Sequence, residues 1–486
     1  RNAPHLVRPL PFLIPLFGKD GAVAKGLAKA YSGALWTYDL TGGLRIGHRH
    51  RRIDAGEALS HFPVLSTDRL VASFLYWDAQ ADDARLTLAL ARTAARQGAV
   101  VANHTPVAAL VEKAGRVCGA RLEDGTQIRA RVVVNAGGVW SDQIAALPGG
   151  DGSATTTPPP VSLRPAKGVH LAVPAEKLPC DYACVLAVPG DKRSIFVVPW
   201  AADTTSRVGP GRYTYVGTTD TDYAGPLDDP QCTADDVAYL LNAVNAWTTA
   251  ELTPSDVTGT WAGLRPLISD ARTARTADLS RRHRVISSGN GLVTVTGGKL
   301  TTYRRMAADT VDAVNEQLTG STGPGSGRKA GHGSRRSRTR RLPLVGGDHG
   351  GQPPTSVLTR VNRLGLSQEV LTHLLRRYGS ETGELVSLCE ADTALTEGMV
   401  DGLPYLKAEA VYAARHEMAV TLSDVLARRT RTLMLDRAAA VRAAPEVAAI
   451  VGTELGWDAD ERDRQVACLK AEAQAELAAF GAPVSG

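Results

Sequence analysis

Thr296-Gly297-Gly298-Lys299-Leu300-Thr301-Thr302-Tyr303-Arg304-Arg305-Met306-Ala307 is the stretch on which the reading of this chain turns. It follows an apolar run, Gly291 to Val295, and precedes a pattern with helical periodicity from Arg305 to Leu318, which predicts a strand, a tight turn and an amphipathic helix. Adjacent glycines at such a turn let a ligand approach the backbone closely and leave the helix N–H groups free to hold an anion. A Gly-Gly pair alone would be read as an ordinary turn with a capping threonine. The full string is far less common.

Upstream, helix and strand signals alternate. Asp82-Asp83-Ala84-Arg85 opens a strong helix with acids in its first turn and Gly98 just past its end. A strand is predicted at Gly98 to Ala102, then a three-stranded meander at Val107–Glu112, Arg116–Leu122 and Thr126–Ala130, with glycine turns between. Arg131 to Asn135 is apolar in its middle, as a strand buried on both faces would be, and it runs into Ala136-Gly137-Gly138-Val139-Trp140. Together these predict a nucleotide-binding α/β sheet with a β insertion. Downstream, Thr319 to Ser337 is rich in Gly, Ser and Arg and reads as a flexible linker. Beyond it, Lys407–Arg431 and Val447–Ala479 carry apolar residues at spacings of three and four, predicting an α-helical domain.

With 486 residues, 43% of them hydrophobic, the chain can bury a large core and should form two domains. No run approaches the ~20 apolar residues that cross a bilayer. The most apolar early stretch, Leu6 to Phe17, is interrupted by Pro9, Pro11 and Pro15. A cytoplasmic protein, or one lying on a membrane surface, is expected. The six cysteines form no CxxC pair, which fits a reducing compartment; Cys180 and Cys184 are close in sequence, but two ordinary thiols are the default. The net charge of +5 is local: Arg328, Lys329, Arg335, Arg336, Arg338, Arg340 and Arg341 lie together with no acid among them, and without those seven charges the balance is −2. A nucleic-acid surface is therefore not implied, and the run is either a solvated tether or a patch for anionic lipid. The sequence has no GxSxG, no GxxxxGK[ST] and no zinc half-site, and His416-Glu417 lacks the second histidine of a metalloprotease helix. A buried or salt-bridged role is expected for His416, and no metal site is expected.

The string GGKLTTYRRMA resembles the C-terminal signature of the FAD-dependent glycerol-3-phosphate dehydrogenases. Other segments resemble the same family in the same order: the opening Arg1 to Phe12, Asp82 to Leu86, Asn135 to Trp140, Phe196 to Trp200, Val216 to Asp220, Trp261 to Leu267, Ser280 to His283, and Asp424 to Arg431. The resemblance implies an α/β + α fold: a Rossmann-like FAD domain with a β-rich substrate part (1–318), a basic linker (319–341) and a helical C-terminal domain (342–486). It implies FAD as cofactor, held by Val107, Gly137, Gly138, Trp140, Gly298, Lys299, Leu300, Thr301 and Thr302. It implies that Arg265 and Arg281 contact a substrate phosphate, as suits guanidinium donors, with Arg282 and Arg284 close enough to leave Arg281 open. Lys299 would face substrate and flavin, and His170 is the candidate base, with a packed strand histidine as the equal alternative. The implied reaction oxidises sn-glycerol 3-phosphate to dihydroxyacetone phosphate, with electrons passing to membrane quinone at the inner face of the cell membrane; a homodimer is compatible with it. A glycerol-3-phosphate oxidase using oxygen, an amine or amino-acid oxidase of the same superfamily, and a non-catalytic form are the alternatives. The family's GxGxxG turn, which holds the FAD pyrophosphate, is not found in these residues. That predicts weak FAD binding by this chain alone.

Overall fold

Pro9, Pro11 and Pro15 alternate along the first strand, β1 (Val7–Phe17). Backbone N–H groups of alternate residues point to the same side, so the missing donors all fall on one edge. The ladder reflects this. β1 pairs with β3 (Leu70–Ala81) along its whole length, whereas only Phe12 and Leu13 register with β9 (Ala183–Ala187) on the other side. The structure is a computed structural model that describes residues 2–18, 25–42, 47–148, 162–200, 212–269, 282–319 and 337–481.

Between these strands lie α1 (Lys25–Thr41), β2 (Arg51–Asp54) and α2 (Ala55–His61). Then follow α3 (Asp83–Arg96), the meander β4 (Val107–Lys113), β5 (Arg116–Leu122) and β6 (Gln127–Arg129), β7 (Val134–Asn135) and α4 (Ser141–Ala145). The chain continues through β8 (Leu163–Pro174), β9, β10 (Ser194–Trp200), β11 (Tyr213–Gly217), β12 (Thr221–Asp222), α5 (Ala234–Asn245) and β13 (Gly259–Ile268). β14 (Arg284–Ser287), β15 (Val293–Thr296) and α6 (Tyr303–Thr319) follow. The helical part comprises α7 (Thr355–Arg363), α8 (Gln368–Tyr378), α9 (Thr382–Ala391), α10 (Lys407–His416), α11 (Thr432–Leu435), α12 (Arg437–Leu455) and α13 (Ala459–Ala479).

The large sheet runs β13-β8-β11-β10-β9-β1-β3-β2, with β12 continuing the β11 ladder along β8. Its two faces differ. Leu13, Leu75, Val169, Leu171, Leu186, Ile195, Val197 and Val216 point into a core shared with α2 and α5. The opposite face carries Phe12, Tyr76, Phe196, Tyr215, His170, Trp261 and Arg265, by the alternation of the registered strands. A second, three-stranded sheet, β14-β15-β7, pairs β15 with β7 in parallel.

Several sequence expectations are corrected. Gly98–Ala102 is not a strand: Gly98 ends α3 with φ +93°, and Val100 is 98% exposed. Val134 is 41% exposed, because β7 is an edge of its sheet among the described residues rather than a strand buried on both faces. Lys407–Arg431 is not one helix. It breaks at Met418, which takes φ +56°, and resumes as a π-helical stretch, Asp424–Arg429. His416 is exposed and forms no ion pair among the described residues; its ring is tilted on Tyr412, while the neighbouring Glu417 is the buried group. Cys180 and Cys184 are both free thiols.

Candidate active site

Two glycine turns lie side by side because β7 and β15 run parallel in register, Val134 with Val293 and Asn135 with Thr294. After β7, buried Asn135 shapes the first turn: its Oδ1 accepts from Gly137 N (3.1 Å) and its Nδ2 donates to Ser141 O (2.8 Å). A Cβ on Gly137 would lie 2.3 Å from Ile144 Cδ1, whereas one on Gly138, at φ +59°, would meet nothing within 4 Å. After β15, Gly297 and Gly298 sit at φ +72° and +80°, and a Cβ on Gly298 would fall 2.6 Å from Met306 Sδ. These positions require glycine. Lys299, Leu300, Thr301 and Thr302 follow on the surface, with Thr302 Oγ1 donating to Lys299 O at 2.9 Å. Trp140 is half-exposed, and its indole Nε1 donates to Asp228 (2.8 Å).

The end of β13 connects these turns to the open face of the large sheet. A Cβ on Gly297 would approach Ile268 Cδ1 at 3.0 Å, and Arg265 lies three residues earlier on the same strand. The Arg265 guanidinium rests over Gly168 of β8, where an added Cβ would meet its three terminal atoms at 2.5–2.8 Å. It donates to Thr219 O, Asp220 Oδ1 and Thr218 Oγ1, each at 3.3 Å. Its side chain is partly exposed, and a guanidinium there suits an anion.

His170 stacks flat on Trp261, with ring centroids 5.0 Å apart and 10° between planes, and Tyr215 meets both edge-on. On its other side the imidazole fills the space left by Gly217, where a Cβ would come within 2.1 Å of it. Burial, then the nearby Arg265 charge, lower its pKa to about 4, so it is neutral at pH 7. No hydrogen bond from the described residues ties its ring nitrogens.

The structure thus places His170 and Arg265 together on one sheet face, and Gly137, Gly138, Trp140, Gly298, Lys299, Leu300, Thr301 and Thr302 around the paired turns. Val107 is apart, exposed at the start of β4. Arg281 lies outside the described residues; its neighbour Arg282 is exposed, and His283 pairs with Asp309 at 2.9 Å. Sequence reasoning did not single out Trp261, Gly168, Gly217 or Thr218–Asp220 as parts of the site. Trp261, Gly217 and Thr218–Asp220 fall in the segments Trp261–Leu267 and Val216–Asp220, and Gly168 is a near neighbour of His170 in sequence, but their meeting is across strands that are not adjacent in sequence.

The residues present fit a flavin nucleotide. Gly138 opens onto empty space, Trp140 and Leu300 (38% and 42% exposed) expose apolar surface beside it, and the buried Thr294 and Thr296 hydroxyls of β15 have no hydrogen-bond partner.

Comparison with known proteins agrees with this geometry. Residues 1–304 match the family described as FAD dependent oxidoreductase, and residues 337–462 match the C-terminal domain of alpha-glycerophosphate oxidase. The chain is 37% identical to glycerol-3-phosphate dehydrogenase 2 of Mycobacterium tuberculosis, covering 99% of this chain and 77% of that protein. It is 33% identical to the mitochondrial glycerol-3-phosphate dehydrogenase of Homo sapiens, covering 96% of this chain and 61% of that longer protein. The FAD complex of the glycerol-3-phosphate dehydrogenase from Bacillus halodurans superposes with a TM-score of 0.74 at 26% identity, over 100% of this chain and 84% of that one.

Proposed function

Because the chain belongs to the family of FAD-dependent glycerol-3-phosphate dehydrogenases, with FAD as its cofactor, we propose that it oxidises sn-glycerol 3-phosphate and delivers the electrons to quinone at a membrane surface. The observation that carries the reading is the pairing of His170 with Arg265 on one sheet face, beside the two glycine turns.

FAD, when bound, supplies the acceptor for the hydride that leaves C2 of the substrate. The turns at Gly137–Trp140 and Gly298–Thr302 hold it. Arg265, with Arg281, binds the substrate phosphate. Neutral His170 takes the C2 hydroxyl proton, which leaves C2 doubly bonded to oxygen once the hydride has gone. A base with a pKa near 4 is poorly matched to work at pH 7. A substrate phosphate dianion on Arg265 shifts it upward by offsetting the smaller of the two causes that lower the imidazole, burial being the larger. Lys299 adds positive charge at the Gly297–Gly298 turn.

The chain divides at its basic run, with 1–318 forming the flavin and substrate domain, 319–341 the linker and 342–486 the helical domain. The run from Arg328 to Arg341 and the exposed Trp36 and Leu40 of α1 are the groups suited to a peripheral membrane contact. No helix among the described residues is long and apolar enough to cross a membrane.

The test is turnover by the FAD-loaded protein with sn-glycerol 3-phosphate. Quinone or dye reduction without peroxide supports the reading; stoichiometric peroxide in air makes the protein an oxidase instead; no oxidation of this substrate overturns it. Sedimentation with anionic vesicles at low salt checks the membrane contact, which fails if the protein stays in the supernatant.

A further inference from the structure

The large sheet ends at β13 among the described residues, where β13 pairs only with β8. An edge strand leaves one row of backbone groups for something else to cover. Here the helical part covers it, over three successive residues. Thr258 O accepts from Arg437 N at the start of α12 (3.0 Å), and Thr258 Oγ1 donates to Leu435 O at the end of α11 (2.6 Å). Gly259 lies so close to α11 that an added Cβ would fall 2.2 Å from Met434 O. Thr260 is gripped by α13. Glu476 Oε1 accepts from Thr260 N at 2.7 Å and from Thr260 Oγ1 at 2.6 Å, and Arg437 Nη1 donates to the same oxygen at 2.9 Å. Thr260 and Arg437 are buried, and the Glu476 side chain is 13% exposed. Charge-assisted bonds shielded in this way are strong.

The next residue is Trp261, registered opposite His170 and stacked on its ring. Among the described residues the imidazole is oriented by packing: Trp261 on one side, the space over Gly217 on the other, Tyr215 at the edge. Burial is also the main cause that lowers its pKa to about 4. Whatever keeps Trp261 seated therefore keeps the ring both aligned and dry.

We propose that Glu476 of α13 is a positioning residue for the reaction: through Thr260 it fixes Trp261, and through Trp261 the imidazole of His170. The inference rests on the reading of His170 as the proton acceptor. It makes the last long helix of the chain part of the apparatus that orients the base.

Deuterium exchange at the imidazole C2 position of His170, followed by mass spectrometry on the full chain at pH 7, tests this without turnover. The exchange is faster for a ring that is more basic and more open to water. Glu476→Leu should speed it at least severalfold, whereas Glu476→Gln, which keeps an oxygen acceptor for Thr260, should leave it near the wild-type rate. Trp261→Leu should speed it too, and adding Glu476→Leu to that variant should change nothing further, because residues acting through one another are not additive. Ser423→Ala serves as the control: it removes a bond from Ser423 Oγ to Glu472 (2.8 Å), one turn earlier on α13, and should leave His170 unchanged. If Glu476→Leu alone strands Arg437 and does not fold, Arg437→Met with Glu476→Leu removes both charges and takes its place. In the FAD-loaded enzyme, Glu476→Leu should lower kcat roughly tenfold with KM nearly unchanged. Unaltered exchange in folded Glu476→Leu, additive effects with Trp261→Leu, or an equal effect of Ser423→Ala overturns the inference. Absence of sn-glycerol 3-phosphate oxidation by the wild type overturns the proposed function instead and leaves the exchange result standing as a measure of the Glu476–Trp261–His170 linkage.

Discussion

Gly168 and Gly217 do their work through the side chains that occupy the space beside them. A methyl group on Gly168 would strike the Arg265 guanidinium, and one on Gly217 the His170 ring. Gly168→Ala should therefore raise KM for the phosphate substrate, because the guanidinium tip can move aside, while the melting temperature stays nearly unchanged. Gly217→Ala should lower kcat as well, since the imidazole is trapped against Trp261 and has nowhere to go. Unchanged steady-state kinetics in both would remove these glycines from the site. Arg265→Gln should cost about 10- to 150-fold in kcat/KM, the equivalent of the roughly 1.5–3 kcal/mol of a charged hydrogen bond. The two depressed histidines also set an acid limb of stability. Burial is the chief cause that lowers His5 and His170 to about 4 in the folded protein, against an ordinary histidine value of 6.5. Between those values the unfolded chain binds more protons, so their stabilisation is complete above about pH 6.5 and is lost as pH falls towards 4. At ~1.4 kcal/mol per pH unit this is on the order of 3 kcal/mol for each. Chemical denaturation from pH 7 to 4.5 should show the slope, and His5→Asn should reduce it; an identical slope in that variant would count against the assignment.

Among the elements, α5 and β8 are joined by one buried group. Asp236 accepts from Thr233 N (3.0 Å) and Thr233 Oγ1 (2.8 Å), closing the helix cap, and from Lys167 Nζ at 2.5 Å. Lys167 stands on β8, beside Gly168 and three residues before His170, so the helix cap and the catalytic strand share an anchor. Asp236→Asn keeps the shape but strands a buried ammonium, and should cost about 3–5 kcal/mol in urea denaturation. A loss below ~1 kcal/mol would mean the lysine finds water instead. The long helix expected at 407–431 failed at this same scale. Helical periodicity runs through Met418, but the chain there turns to φ +56° and buries Glu417 against Arg85, which lies far away in sequence.

At the scale of the molecule, that Arg85–Glu417 pair belongs to a seam of charges. Asp82 and Arg431, His104 and Asp424 (2.9 Å), and Arg92 and Arg96 with Glu381 (3.3 and 3.0 Å) all cross between α3 or its flanks and the helical domain. Buried pairs of this kind specify an arrangement more than they stabilise it, while removal of one partner is expensive. Glu417→Gln should therefore destabilise by about 3–5 kcal/mol and split a single thermal transition into two as the domains uncouple, whereas Arg85→Met with Glu417→Leu should recover much of the loss. One unsplit transition in the single variant would show that apolar packing, such as Leu6, Leu86 and Leu344, couples the domains without the charges.

How much of this was legible beforehand follows from the range of the interactions. The glycine turn at 297–298, the helix after it, the meander and the helical C-terminal part all rest on contacts within a few residues, and their sequence patterns announced them. The family was legible too, through GGKLTTYRRMA and its companion segments. The pairing of two glycine turns came from the parallel register of β7 with β15, and the seat of His170 came from β8, β11 and β13 meeting across the sheet. Strand register and domain docking depend on residues up to hundreds of positions apart, so only the tertiary structure decided which glycines make room, which arginine faces the histidine, and which charges meet at the seam.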